Sequence, residues 1–209
     1  MADSLVFDLN SETLQESGTA SGDGSLIHGL RTFSEQAYET LVSRFQEPVY
    51  NLVYRLLGNS PDACDVVQEV FLKVFRNIKY FRGDSSLKTW IYRIVINQAR
   101  NRQRWWRRRH RSEQVSLEER LETNGDLPPA NDLAEPDRMF GQKELATRIW
   151  GALGRLPFDQ RTVMVLREID GLSYDEIAFS LGVAVGTVKS RLTRAREALR
   201  AQLREADRS

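Results

Sequence analysis

The stretch Gly171–Arg196, GLSYDEIAFSLGVAVGTVKSRLTRAR, specifies two short helices around a tight turn. Ser173 and Glu176 have the S-x-x-E spacing of a capping box: the serine accepts from an orphan amide of the first turn and the glutamate reaches back. Leu172 before the cap and Ile177 inside are placed for a hydrophobic staple. The first helix should run to about Ser180, and Leu181-Gly182-Val183 should turn the chain on the permissive backbone of Gly182. A second helix follows from about Val185, with Val188, Leu192, Ala195 and Leu199 as its buried stripe. Gly186, Thr187, Lys189, Ser190, Thr193, Arg194 and Arg196 fall outside that stripe. A basic, hydroxyl-rich second helix after a glycine turn is what a major-groove reader needs. Its cations suit guanine edges or phosphates, and its hydroxyls suit either. Ala184 is a departure, since a capping side chain there would add about 1 kcal/mol.

Composition frames this motif. The chain has 209 residues, enough for one medium domain or two small ones, with 41% hydrophobic and 28% charged residues, as in a folded, mostly helical protein. No apolar run approaches the ~18 residues of a membrane span, so no stable membrane insertion is expected. The first residues are acidic rather than basic and do not read as a secretory signal. The single cysteine, Cys64, rules out an intramolecular disulfide and fits a reducing cytoplasm; a small, inert, partly buried thiol is expected. The net charge of +1 conceals segregation: Arg100–Arg111 is almost uniformly basic and Glu113–Asp137 mostly acidic. A nucleic-acid surface followed by an acidic connector has that pattern.

Along the chain, residues 1–30 are rich in Ser, Gly, Thr and acids and read as a disordered tail. Helical periodicity begins near Ser34 (Ala37, Leu41, Phe45, Val49, Leu52, Val53, Leu56), with Pro48 expected to kink or split it. Gly58-Asn59 ends that helix, and Ser60-Pro61 supplies an N-cap and first-turn proline for the next. The next helix has an apolar stripe of Ala63, Val66, Val67, Val70, Phe71, Val74 and Phe75, with Asp65, Gln68, Glu69, Lys73 and Arg76 off it. After a Phe81–Ser86 loop a long helix runs from about Leu87 to Arg107. Residues 112–137 carry Gly125, Pro128, Pro129 and Pro136 and form a linker. Helices are then expected over Met139–Leu153 and Phe158–Ile169. The fold class is all-α: two small helical domains, 31–111 and 138–209, on a flexible acidic tether.

The long helix offers a second nucleic-acid surface. Leu87, Ile91, Ile94 and Val95 face one way, while Arg93, Asn97, Arg100, Asn101 and Arg104 lie at i, i+4, i+7, i+8 and i+11 on the other. Guanidinium and carboxamide groups suit phosphates and base edges respectively. Tyr80, Phe81, Trp90, Tyr92, Trp105 and Trp106 surround this face, and unpaired bases stack on such rings for about 1–3 kcal/mol each.

Together these surfaces resemble an extracytoplasmic-function (group 4) sigma factor of the sigma-70 family, sigma-E-like, a promoter-specificity subunit of bacterial RNA polymerase. FRGDSSLKTWIYRIVINQARN resembles the region that recognises and melts the −10 element. REIDGLSYDEIAFSLGVAVGTVKSRLTRAREAL resembles the −35 reader, and DACDVVQEVFLKVFRNI the helix that docks on core polymerase. The resemblance implies that Asp65, Gln68, Glu69 and Lys73 face polymerase, with Phe71 at the border. It implies that Asn97 and Asn101 contact an unpaired −10 base beside the loop containing Phe81 and Ser85, with Trp90, Arg93, Arg100 and Arg104 on the same surface. It places Thr187, Lys189, Ser190, Arg191, Thr193, Arg194 and Arg196 at the −35 duplex, Thr193 standing where relatives can carry an aromatic. The melting pair is Trp90-Ile91 rather than two tryptophans. The implied partners are core RNA polymerase (β′ clamp coiled coil and β flap), promoter DNA and an anti-sigma factor in a stress response, within the bacterial cytoplasm.

Elements on the order of 16 base pairs apart are about 55 Å distant. A linker of about 26 residues spans ~28 Å r.m.s. and ~85 Å fully extended. Polymerase is therefore expected to hold the two readers at their working separation. A helix-turn-helix regulator acting on duplex DNA would account for the C-terminal unit but not for the Arg/Asn/aromatic helix. No catalytic, cofactor or metal site is expected: His28 and His110 have no ligand partners at useful spacing, and P-loop, G-x-S-x-G and dinucleotide fingerprints are missing from the sequence.

Overall fold

The computed structural model describes residues 19–112 and 136–206. Helices α1 (Thr19–Arg31), α2 (Glu35–Leu57), α3 (Ser60–Asn77) and α4 (Leu87–Ser112) form the first unit, with a 3-10 turn at Ile78–Tyr80. Helices α5 (Pro136–Arg155), α6 (Phe158–Met164), α7 (Tyr174–Leu181) and α8 (Val185–Ala206) form the second. Most of the connector 112–137 lies outside the described residues.

Local chemistry sets most boundaries. The Ser34 hydroxyl accepts from the Ala37 amide at 3.5 Å to start α2, and Gly58, at φ 69°, ends it. Asn59, rather than Ser60, caps α3, its side chain accepting from the Asp62 amide at 3.2 Å. Ser86 opens α4 by accepting from the Thr89 amide at 3.1 Å. Pro48 does not split α2: Phe45, Val49, Leu52 and Val53 are buried around it, and that packing offsets the missing amide.

Three further departures from the sequence reading concern α1, the end of α6 and Cys64. Residues 19–31 are not a disordered tail but helix α1, with Leu26 and Leu30 buried against the core; residues 1–18 lie outside the described residues. The expected helix Phe158–Ile169 is α-helical only to Met164 and then winds as a π-turn over Val165–Ile169. There the Asp170 amide bonds to the Val165 carbonyl at 3.0 Å. Cys64 is exposed, not partly buried.

The two units are docked. Helix α4 packs along α7, and α2 touches α6 and the π-turn. Arg161 of α6 donates to the Leu56 carbonyl at 2.9 Å, and the Ser180 hydroxyl of α7 donates to the Thr89 carbonyl at 3.3 Å.

Candidate nucleic-acid interface

The stripe on α4 forms as its spacing implies. Arg93, Asn97, Asn101 and Arg104 are exposed and Arg100 is half-buried, while Leu87, Ile91, Val95 and Ile96 fill the core. The aromatic surround is thinner than expected. Phe81 is buried at 6% exposure, and its ring packs in the core. Trp90 is half-buried and meets Phe81 edge-on at 5.4 Å, and Tyr92 is buried outright. Tyr80 and Trp105 remain exposed. Ser85 stays half-buried in the loop, its hydroxyl donating to the Ser86 carbonyl at 3.2 Å.

On α3, Asp65, Gln68, Glu69 and Lys73 are exposed beside half-buried Phe71, because Ala63, Val66, Val70 and Val74 take the core side. The sequence reading missed Leu72, 53% exposed in the middle of this polar stripe. Its signal was an apolar residue four positions after Gln68, out of phase with the core. Arg102 of α4 binds two acids of α3, Asp62 at 3.0 Å and Asp65 at 2.6 Å. The Trp106 indole donates to Asp62 at 2.8 Å, and Gln98 donates to Glu69 at 3.2 Å. The base of the arginine-rich helix end is thereby fixed to α3.

The helix-turn-helix closes as its sequence specifies. The Ser173 hydroxyl accepts from the Glu176 amide at 3.2 Å, and the Glu176 carboxylate accepts from the Ser173 amide at 2.8 Å. Burial pushes the Glu176 carboxyl up, but its bonds from Ser173 and Thr89 outweigh that and hold it below the usual value. Gly182 turns the chain at φ 65°.

On α8, Lys189, Ser190, Thr193, Arg194 and Arg196 are exposed and Thr187 half-buried. Ser190 and Thr193 donate to the carbonyls of Thr187 and Lys189 at 3.0 and 3.1 Å. Both hydroxyls can still accept. Arg196 pairs with Glu168 at 2.6 Å. Arg191 is the exception on this surface: it is half-buried and turned inward to Asp159 at 3.0 Å.

Several of these groups meet between the units. Asp159 also binds Arg100 of α4 at 3.1 Å, and the Arg93 guanidinium lies 5.4 Å from the Phe179 ring. Thr89 donates to Glu176 at 3.3 Å. Deeper, Arg55 pairs with Asp170 at 3.2 Å. Burial pushes the Asp170 carboxyl up to about 6 against the pull of Arg55 and Lys88. The Tyr92 hydroxyl nearby is raised, first by burial and then by Asp170.

Two family models match the chain. Residues 41–112 match the model of Sigma-70 region 2, and residues 146–199 that of Sigma-70, region 4. The chain is 40% identical over 179 residues to the ECF RNA polymerase sigma-E factor of Escherichia coli K12, covering 85% of this chain and 92% of that one. It is 37% identical over 181 residues to the RNA polymerase sigma-H factor of Pseudomonas aeruginosa, covering 87% and 93%. Among solved structures, the sigma factor RpoE of Bartonella quintana, in complex with the anti-sigma factor NepR, superposes with TM-score 0.59 at 26% identity over 80% of this chain and 96% of that one. CnrH, in complex with the cytosolic domain of CnrY, shares the fold, with TM-score 0.61 at 23% identity over 88% of this chain and 97% of that one. The chain belongs to the extracytoplasmic-function sigma factors of the sigma-70 family.

Proposed function

We propose that this chain binds core RNA polymerase and directs initiation at promoters whose −35 duplex is read by α8 and whose melted −10 strand is held by α4. One observation carries the reading: a single chain presents two separate exposed faces of basic, carboxamide and hydroxyl side chains, Arg93/Asn97/Asn101/Arg104 and Lys189/Ser190/Thr193/Arg194, beside an exposed polar face on α3. In the duplex, Lys189 and Arg194 reach guanine edges or phosphates, and the hydroxyls of Ser190 and Thr193 accept or donate as the base requires. On the melted strand, the carboxamides of Asn97 and Asn101 read an exposed base edge, while Arg93, Arg100 and Arg104 neutralise phosphates. Asp65, Gln68, Glu69, Leu72 and Lys73 meet polymerase.

In the docked arrangement Arg93 and Arg100 face the second unit, so promoter capture requires the units to part. Polymerase supplies that separation by binding each unit at its own place. The chain acts through binding alone, with no catalysis, cofactor or metal, in the bacterial cytoplasm; no described helix is long and apolar enough to cross a membrane. An anti-sigma factor holds it in reserve, as NepR binds the related RpoE.

Transcription in vitro tests the reading. Adding the protein to sigma-free core polymerase on genomic DNA should produce transcripts starting at defined sites. Initiation no more selective than with core alone would overturn it.

A further inference from the structure

Phe33 is the single non-glycine residue with positive φ among the described residues, at 60°. Its amide donates to the Leu30 carbonyl at 3.4 Å, and the next amide, Ser34, donates to Gly29 at 2.9 Å. Those two bonds make Phe33 the left-handed residue of a Schellman motif closing α1, a position that glycine fills at least cost. A bulky side chain rarely adopts this conformation, and such strain persists mainly where function retains the residue. Burial does not compensate it, since the Phe33 side chain is 70% exposed.

The ring is nevertheless held in place. It meets Phe75 of α3 edge-on at 5.7 Å, and Phe75 meets Tyr38 of α2 edge-on at 4.6 Å. Gln68, Leu72 and Phe75 lie at i, i+4 and i+7 along one side of α3. An apolar ridge, Phe33–Phe75–Leu72, therefore runs into the polar face formed by Gln68 and Glu69.

We propose that Phe33 is an anchor of the polymerase-binding surface, extending it from α3 onto the turn between α1 and α2. This rests on the reading of α3 given above. The occupant is core RNA polymerase rather than nucleic acid. The ridge is an aromatic and aliphatic centre beside charged residues of both signs, Glu69, Lys73 and Arg76, as protein–protein patches are built. The acids Asp65 and Glu69 on the same face disfavour phosphate.

The test titrates labelled full-length protein with sigma-free core polymerase and measures Tm alongside. F33G should bind about tenfold more weakly. Its Tm should be unchanged or raised by up to about 3 °C, because glycine relieves the left-handed conformation. F33Y, which keeps the ring, should bind like the wild type. Gln68→Arg, on the α3 face itself, should also weaken binding. Loss with Gln68→Arg but not with F33G overturns the role of Phe33 and leaves the α3 reading intact. No loss with either overturns that reading, and with it the proposal. A Tm lowered by F33G makes the ring a structural contact and likewise overturns the proposal.

Discussion

Arg100 of α4 and Arg191 of α8 share a single carboxylate: Asp159 binds the first at 3.1 Å and the second at 3.0 Å. The carboxylate occupies both cations much as a phosphate would. Because Asp159 is 43% exposed, each pair is worth only ~0.2–1 kcal/mol after screening. Asp159→Ala should loosen the docking of the two units and raise affinity for promoter DNA about threefold to tenfold. Fluorescence transfer between labels on the two units, with anisotropy on a −35 duplex, measures both changes. Unchanged transfer efficiency and unchanged affinity would show that the pairs carry no weight.

Asp170 makes the docked form sensitive to pH. It faces Arg55 of α2 and Lys88 and Tyr92 of α4, and its carboxyl is pushed up to about 6 by burial. A carboxyl raised in the folded state binds its proton more tightly there than in the unfolded chain. Stability therefore rises as pH falls from 7.5 toward 5 and declines as pH climbs through 6. Asp170→Asn, which mimics the protonated acid, should flatten that slope. Urea melts at pH 7.5 and 5.5 supply the comparison, and a wild-type slope of opposite sign would contradict the assignment.

Glu176 behaves in the opposite sense. Its carboxyl is held below the usual value, so its contribution is present near neutral pH and is lost as pH falls through the acid range. Ser173→Ala removes the cap from that carboxylate and should cost about 1 kcal/mol of stability at pH 7. Thermal melts of the full chain register the loss.

The two readers are separable by mutation. Arg194→Ala should lose about 1–3 kcal/mol at one base position of the −35 element. A uniform loss across all duplex sequences would make Arg194 a phosphate clamp instead. Asn97→Ala should impair binding of −10 single strands while leaving −35 duplex binding unchanged. Equal single-strand binding by mutant and wild type would remove Asn97 from the surface.

What the sequence made legible was local. The capping box of Ser173 and Glu176, the turn at Gly182 and the stripe from Arg93 to Arg104 each depend on residues within a few turns of one another. Helix α1 was hidden by its glycines and serines, though Leu26, Ile27 and Leu30 at i, i+1 and i+4 were a usable sign. Phe81 shows the limit of local reading, because an aromatic in a loop looks alike whether it stacks on bases or, as here, packs edge-on against Trp90. The inward turn of Arg191 depends on Asp159, thirty-two positions away, and no spacing rule reaches that far.

The π-turn at Val165–Ile169 winds one more residue into its loop of backbone than an α-helix would. The wider turn takes up that residue locally, so the chain beyond it keeps the direction an unbroken α-helix would have given it. The bulge thus accommodates an added residue while Asp170 stays opposite Arg55.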